Sequence, residues 1–368
     1  MKKVRKKSNL INFGILIILC VIGIFLFLVI LKPNPEEPIY NPESFVRPVE
    51  KENLITHNSI KLDLTSAYGD NEGYHPKVIS FDKPWNGYHY WIAFTPYPSA
   101  DQGKENPHIL ASNDLIDWEE PIGYDNPLEP QPDEDSVNYY NSDTHIVFNE
   151  KKNRLECFWR FVNNKNMRVI IYRKYTYDGV HWSEKEAFLE ANRRKIDYLS
   201  PVVMIEDNKY KVWYIDRDFS LKYTEKYLDD EKWLSLKEIE VDYGTKRLRN
   251  WHLDVIKTSK GYEVLMSAFE TNRNKMKLYY LRSVDNVNYT KPRVVLEPFI
   301  YSWNNKGLYR SSLLYYKNTY IVFYSGIGHD ENRGVGIAYG KSIDHLIWLT
   351  ENNLYDFKKL TSKRACYQ

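Results

Sequence analysis

The heptapeptide Ser112-Asn113-Asp114-Leu115-Ile116-Asp117-Trp118 decides the fold, because its pattern returns four more times. Each return has a hydroxyl residue, an Asp two positions on and an aromatic four beyond. The copies are Thr176/Asp178/Trp182, Tyr227/Asp229/Trp233, Ser283/Asp285/Tyr289 and Ser342/Asp344/Trp348. Successive Asp residues lie 64, 51, 56 and 59 residues apart, an interval that suits one four-stranded propeller blade. An Asp that accepts backbone N–H bonds shapes a turn, and the aromatic is placed to pack between neighbouring units. These turns are therefore structural, and no catalysis is assigned to them.

Working outward, each turn is preceded by three strand-like runs. The first runs are Pro76–Phe81, Thr144–Phe148, Pro201–Ile205, Leu253–Lys257 and Ser311–Tyr316. Five units predict an all-β, five-bladed β-propeller over residues 54–368. The alternating segment Ser59–Leu64 is placed to complete the last blade and close the ring. The 31 Tyr and 10 Trp suit strands, and they also suit sugars, whose C–H faces pack on aromatic rings. Cys20, Cys157 and Cys366 show neither a metal-ligand spacing nor a disulfide framework.

The N-terminus carries a different signal. Residues 1–10 form a basic tail with Lys2, Lys3, Arg5, Lys6 and Lys7. Residues 11–31 are uncharged for a full bilayer crossing. Positive charge before the span predicts a single-pass transmembrane helix, a signal anchor with the N-terminus cytoplasmic and the remainder extracellular. Residues 32–53 begin as a stiff Pro-rich linker. The net charge of +2 carries no concentrated basic face beyond that tail, which argues against a nucleic-acid partner. A monomer is expected.

In a propeller the first strands line the channel, and their starts open on one mouth with the loops after the second strands. Read there, the candidate acid/base carboxylates are Asp143, Asp254, Asp216 and Glu270. Glycosidic cleavage needs two such groups, one protonated and one ionised. Asp143 and Asp254, two blades apart, are placed to flank a sugar. Candidate substrate-binding residues are His75, Glu105, His145, Arg160, Trp251, His252, Tyr309 and Arg310. Taken one by one, each has a plainer reading, a loop carboxylate paired with an arginine or a histidine in an ordinary hydrogen bond. No metal centre or cofactor is expected; a channel metal near His75, His145 or His252, or a structural calcium ion, is the alternative.

The turns resemble the Asp-box, S-x-D-x-x-x-W, of sialidase-like propellers and five-bladed glycosidases. Residues 60 to 350 resemble the clan containing glycoside hydrolase families 43 and 32. That resemblance implies a polysaccharide-active enzyme. It makes Asp143 the blade-two Asp that tunes the acid, and His252 and Arg310 the blade-four His and blade-five Arg of the site. The chain departs from the pattern twice. Blade one has His75 where the base Asp belongs, and blade three has Ser200-Pro201 with no acid Glu. Either another carboxylate pair acts, or the propeller binds glycan without cutting it. A protein-interaction scaffold is the third reading. The expected function is glycoside hydrolysis of a cell-surface or extracellular polysaccharide, with a non-catalytic glycan-binding propeller as the alternative.

Overall fold

The computed structural model describes residues 58–362 apart from Thr245 and Asn272. They form five four-stranded antiparallel sheets, each with its strands in chain order. The inner strands are Gly73–Trp85, Tyr139–Asn149, Leu199–Glu206, Arg249–Thr258 and Gly307–Tyr316. They contact one another in cyclic order, so the sheets are the blades of a closed five-bladed propeller. The transmembrane helix expected at residues 11–31, the linker, Cys20 and Cys366 lie outside the described residues. Among the described residues no helix is long and apolar enough to cross a membrane.

The core consists of five apolar clusters, each shared by two adjacent blades. Strand periodicity explains this: alternate residues of a strand point to opposite faces, and both faces of each blade are covered by a neighbour. Trp91, Trp159 and Trp213, on three second strands, are fully buried. Each such burial is worth on the order of 2–3 kcal/mol. The turn aromatics Trp118, Trp182, Trp233, Tyr289 and Trp348 each pack against a different inter-blade cluster.

The repeated turn forms in blades one, two and four as its sequence dictates. Asp114 accepts from Ile116 and Asp117 N–H, Asp178 from Val180 and His181, and Asp285 from Val287 and Asn288. The next residue adopts positive φ in each: Leu115 at 70°, Gly179 at 79° and Asn286 at 59°. Blade three departs. Its hydroxyl position is Tyr227, which has no short hydroxyl to cap the turn, and Asp229 instead pairs with Lys151 at 2.9 Å. In blade five Asp344 forms an ion pair with Arg293.

The ring is sealed between blades five and one. Leu62 N–H donates to Val335 O and Ile60 N–H to Leu349 O, so this segment lies along the outer edge of blade five. Leu62 and Leu64 sink into the cluster shared by those blades. Helix α1 (Glu351–Thr361), which the sequence reading did not separate from the propeller, covers the same seam. Its Phe357 is fully buried there, and Thr361 donates to Asp114 O in the blade-one turn.

Candidate active site

Every inner strand is interrupted at the mouth. Pairing with the second strand breaks between Tyr74 and Lys77, Ser142 and His145, Asn250 and His252, and Leu308 and Ser311; blade three breaks between Leu199 and Val202. A bulge re-aims the residues within it. His75, Asp143 and Ser200 adopt φ of 49°, 53° and 54° at these breaks. Non-glycine residues held there cost about 1–3 kcal/mol each. Pro76 and Pro201 follow two of them and need no ladder donor.

The bulges bring His75, Asp143 and His252 together. One donor atom from each lies within 4.8 Å of the others, and all three residues are buried. His252 Nδ1 is 3.4 Å from Asp143 Oδ1. His75 Nδ1 is held by Thr95 Oγ1 at 2.8 Å, with Glu105 Oε1 3.5 Å away. That leaves His75 Nε2 without a hydrogen bond, as are both ring nitrogens of His252. Buried polar atoms are rarely left unpaired, so these three atoms point to a missing partner.

The charge states suit that partner. Burial lowers His75 to about 4, against the pull of Asp143, and holds His252 well below the usual imidazole range. Both are therefore neutral donors at physiological pH. Burial works to raise Asp143, but the net effect of its cationic neighbours is to lower it: His252 and His75 contribute when protonated in acid, and Arg310 and Arg160 remain charged at neutral pH. Glu105 is pushed the other way, well above the usual carboxylate range, by burial and then by the Asp143 charge. Two neutral imidazoles and one carboxylate are a donor set for a divalent cation. The sequence has no metal-ligand spacing, because the three residues come from blades one, two and four.

Around this cluster stand aromatic rings. Tyr309 packs on His252 with ring centres 4.4 Å apart and stacks on Tyr74 at 5.0 Å. Its hydroxyl accepts from Trp251 Nε1 at 2.6 Å, which leaves its own proton free to donate. Tyr97 lies 6.3 Å from His75.

The other residues singled out from sequence are placed differently. Asp254 does not face Asp143 across an open mouth. Both its oxygens accept from Lys77 Nζ, at 2.7 and 2.8 Å, and Oδ2 also accepts from Leu313 N–H. His145, one layer below the cluster, directs Nε2 to Val203 O. Asp216 Oδ1 accepts from the Asp197 and Arg217 N–H groups, shaping a loop. Glu270 is exposed and joins no carboxylate pair among the described residues. Arg160 is spent on Asp197 and Ser142. Arg310 bridges Asp143 and Pro201 O, so its fork faces the protein. Thr95 was invisible in the sequence because it sits in an apolar strand run with no charge to flag it, and Tyr74 because nothing local sets it apart from the other tyrosines.

The blades, the bulged inner strands and the polar mouth define a glycosidase-like five-bladed propeller. No family model matches the chain. The chain is 28% identical over 346 aligned residues to an A type blood N-acetyl-alpha-D-galactosamine deacetylase of Flavonifractor plautii. That match covers 77% of this chain but only 44% of the relative. Among solved structures, an N-acetylgalactosamine deacetylase from F. plautii, in complex with blood group B trisaccharide, matches with a TM-score of 0.68 and 24% identity. It covers 77% of this chain and 94% of that one. An exo-1,5-alpha-L-arabinanase from a bovine ruminal metagenomic library matches at 0.56 and 14% identity, covering 76% and 95%. A Cellvibrio cellulosa alpha-L-arabinanase, in complex with arabinohexaose, matches at 0.54 and 12%, covering 80% and 99%. These relatives are carbohydrate-active propellers.

Proposed function

We propose that this chain is a cation-dependent hydrolase that removes the acetyl group from an N-acetylated sugar of a glycan. The observation that carries the proposal is the cluster of His75, Asp143 and His252, with three buried imidazole nitrogens that make no hydrogen bond. The name of the deacetylase relative supports the same reading. The arrangement favours it over glycosidic cleavage by two carboxylates, because Asp254 is committed to Lys77.

The reaction adds water to the acetamide carbonyl carbon and breaks the C–N bond, giving acetate and an amine. His75, Asp143 and His252 would hold the cation, which would supply Lewis-acid polarisation of a carbonyl oxygen. Thr95 and Glu105 orient His75 through Nδ1, the supporting contact such ligands need. Glu105, whose protonated form burial favours, is the proton carrier, giving its proton to the departing nitrogen and being replenished by one from the attacking water. Tyr309, kept protonated by burial above all, donates to the developing oxyanion. The part-exposed aromatic wall of Tyr97, Tyr309 and Trp251, backed by buried Tyr74, receives the sugar ring. Residues 11–31 would anchor the propeller outside the cell membrane, directing it to surface glycans.

The test uses the purified full chain, stripped with chelator and resupplied with Mn²⁺, Co²⁺ or Zn²⁺. N-acetylhexosamine glycans are assayed for released acetate and for new reducing ends. Cation-dependent acetate release, lost in Asp143→Asn and His75→Asn, supports the proposal. Reducing ends without acetate would return the reading to a glycosidase, and saturable binding without either product would make the propeller a glycan binder.

A further inference from the structure

The rim of the mouth is divided by charge. Two sets of loops reach it in a four-stranded meander, those after second strands and those leading into inner strands. Beside blades three and four these loops expose Arg194, Lys195, Arg247, Arg249, Arg273 and Lys275. Around blades five, one and two they carry Asp70, Glu72, Asp133, Glu134, Asp135 and Asp330, with fewer bases, Lys104, Lys165 and Lys306, of which Lys165 pairs with Asp135 and Lys306 with Glu331. Acids on the basic side are partly engaged: Asp218 accepts from Ser220 N–H, and Asp242 pairs with Lys291 at 3.1 Å. Glu240 and Glu270 remain as counter-charges, and Asp218, Glu238 and Glu240 line a cavity with Phe219 and Arg249, where Glu238 is paired with Lys222.

An aromatic shelf joins the basic side to the donor cluster. From His252 and Tyr309 it continues to Trp251, whose ring lies 6.2 Å from Phe219. The Arg273 guanidinium sits 3.9 Å from the Trp251 ring centre, and that of Arg249 sits 5.2 Å from Phe219. Neither arginine forms an ion pair among the described residues. A guanidinium stacked on a ring keeps its edge N–H groups available as a planar fork for carboxylate or phosphate.

Resting on the deacetylase reading of the mouth, we propose that Arg249 and Arg273, on the Phe219–Trp251 shelf, form an anion subsite. The substrate is then an N-acetylated glycan with a negative charge on a unit adjoining the acetamido sugar. A hexuronate carboxylate and a phosphodiester share this chemistry. The acidic opposite rim suits the product, whose new amine is cationic at neutral pH.

The experiment is calorimetric titration of the full chain with three oligosaccharides. One alternates N-acetylhexosamine with hexuronic acid, the second is that compound with carboxylates reduced to alcohols, and the third joins N-acetylhexosamines through phosphodiesters. At least one charged probe is expected to bind about tenfold more tightly than the reduced one at low salt, with the preference lost in high salt. The preferred probe identifies the anion. Arg249→Gln and Arg273→Gln are each expected to weaken charged-probe binding about threefold and the double variant about tenfold, leaving the reduced probe within twofold. Equal affinity for charged and neutral probes, no binding of any, or variants that keep the preference would overturn the subsite. The chelated protein is titrated as well, with acetate release followed separately. Charge-dependent binding without acetate release would keep the subsite and reject the deacetylase; acetate release without charge preference would do the reverse.

Discussion

Replacing Lys77 by Met tests whether Asp254 is a structural brace or a reacting group. Lys77 and Asp254 are 7% and 2% exposed and join the inner strands of blades one and four across the channel. Asp254 also accepts from Leu313 N–H of blade five at 2.8 Å, so one carboxylate ties three blades together. Removing the ammonium leaves a buried carboxylate with a single backbone donor. Breaking such a pair from one side costs about 3–5 kcal/mol. At roughly 2 °C per kcal/mol for a domain this large, the melting midpoint should fall by about 6–10 °C. Asp254→Asn should fall comparably, and Lys77→Met/Asp254→Asn by less than the two together, because no buried charge remains. The assay is thermal melting of the full chain by circular dichroism, beside acetate release at 25 °C, where the folded fraction should keep a rate within about threefold of the parent. A Lys77→Met protein that melts like the parent would refute the brace. An Asp254→Asn protein that melts like the parent but loses activity about a thousandfold would return Asp254 to the reacting groups.

Three further outcomes are expected. Burial lowers His75 from 6.5 to about 4, so its neutral form contributes stability that is complete above pH 6.5 and lost as pH falls toward 4. That is about 3 kcal/mol at one pKa unit per 1.4 kcal/mol, and urea titrations of the cation-free chain should lose part of this slope in His75→Phe; an unchanged slope would contradict the burial argument. Thr95→Val removes the partner of His75 Nδ1 and should weaken cation uptake about 10–100-fold by calorimetry with the fold intact, whereas unchanged affinity would free Thr95 of any orienting role. Leu64→Ala empties a fully buried site in the seam of blades five and one and should cost about 2–5 kcal/mol in urea denaturation; a smaller loss would mean the ring does not depend on that closure.

The sequence by itself determined the number of blades, the face that carries polar groups and the strand ends that supply them. Its signals are local: an Asp four residues before an aromatic, repeated five times, reads without any knowledge of distant partners. Blade three shows the limit of such a signal, since Tyr227 matched the pattern while Asp229 bonds elsewhere. The sequence also placed His75, Asp143, His252, Glu105, Tyr309 and Arg310 at one mouth. Tertiary structure alone decided which of them meet. Strand residues alternate with period two, and a bulge resets that alternation. His75, Asp143 and His252 thus fall in one layer of the channel, while Lys77, His145 and Asp254, each two residues on, fall in the next. Asp143 and Asp254 look equivalent in the chain, yet one joins two buried histidines and the other is occupied by a lysine 177 residues away. Only closure of the ring brings blades one and five into contact with that blade-four carboxylate, and no spacing within a blade encodes it.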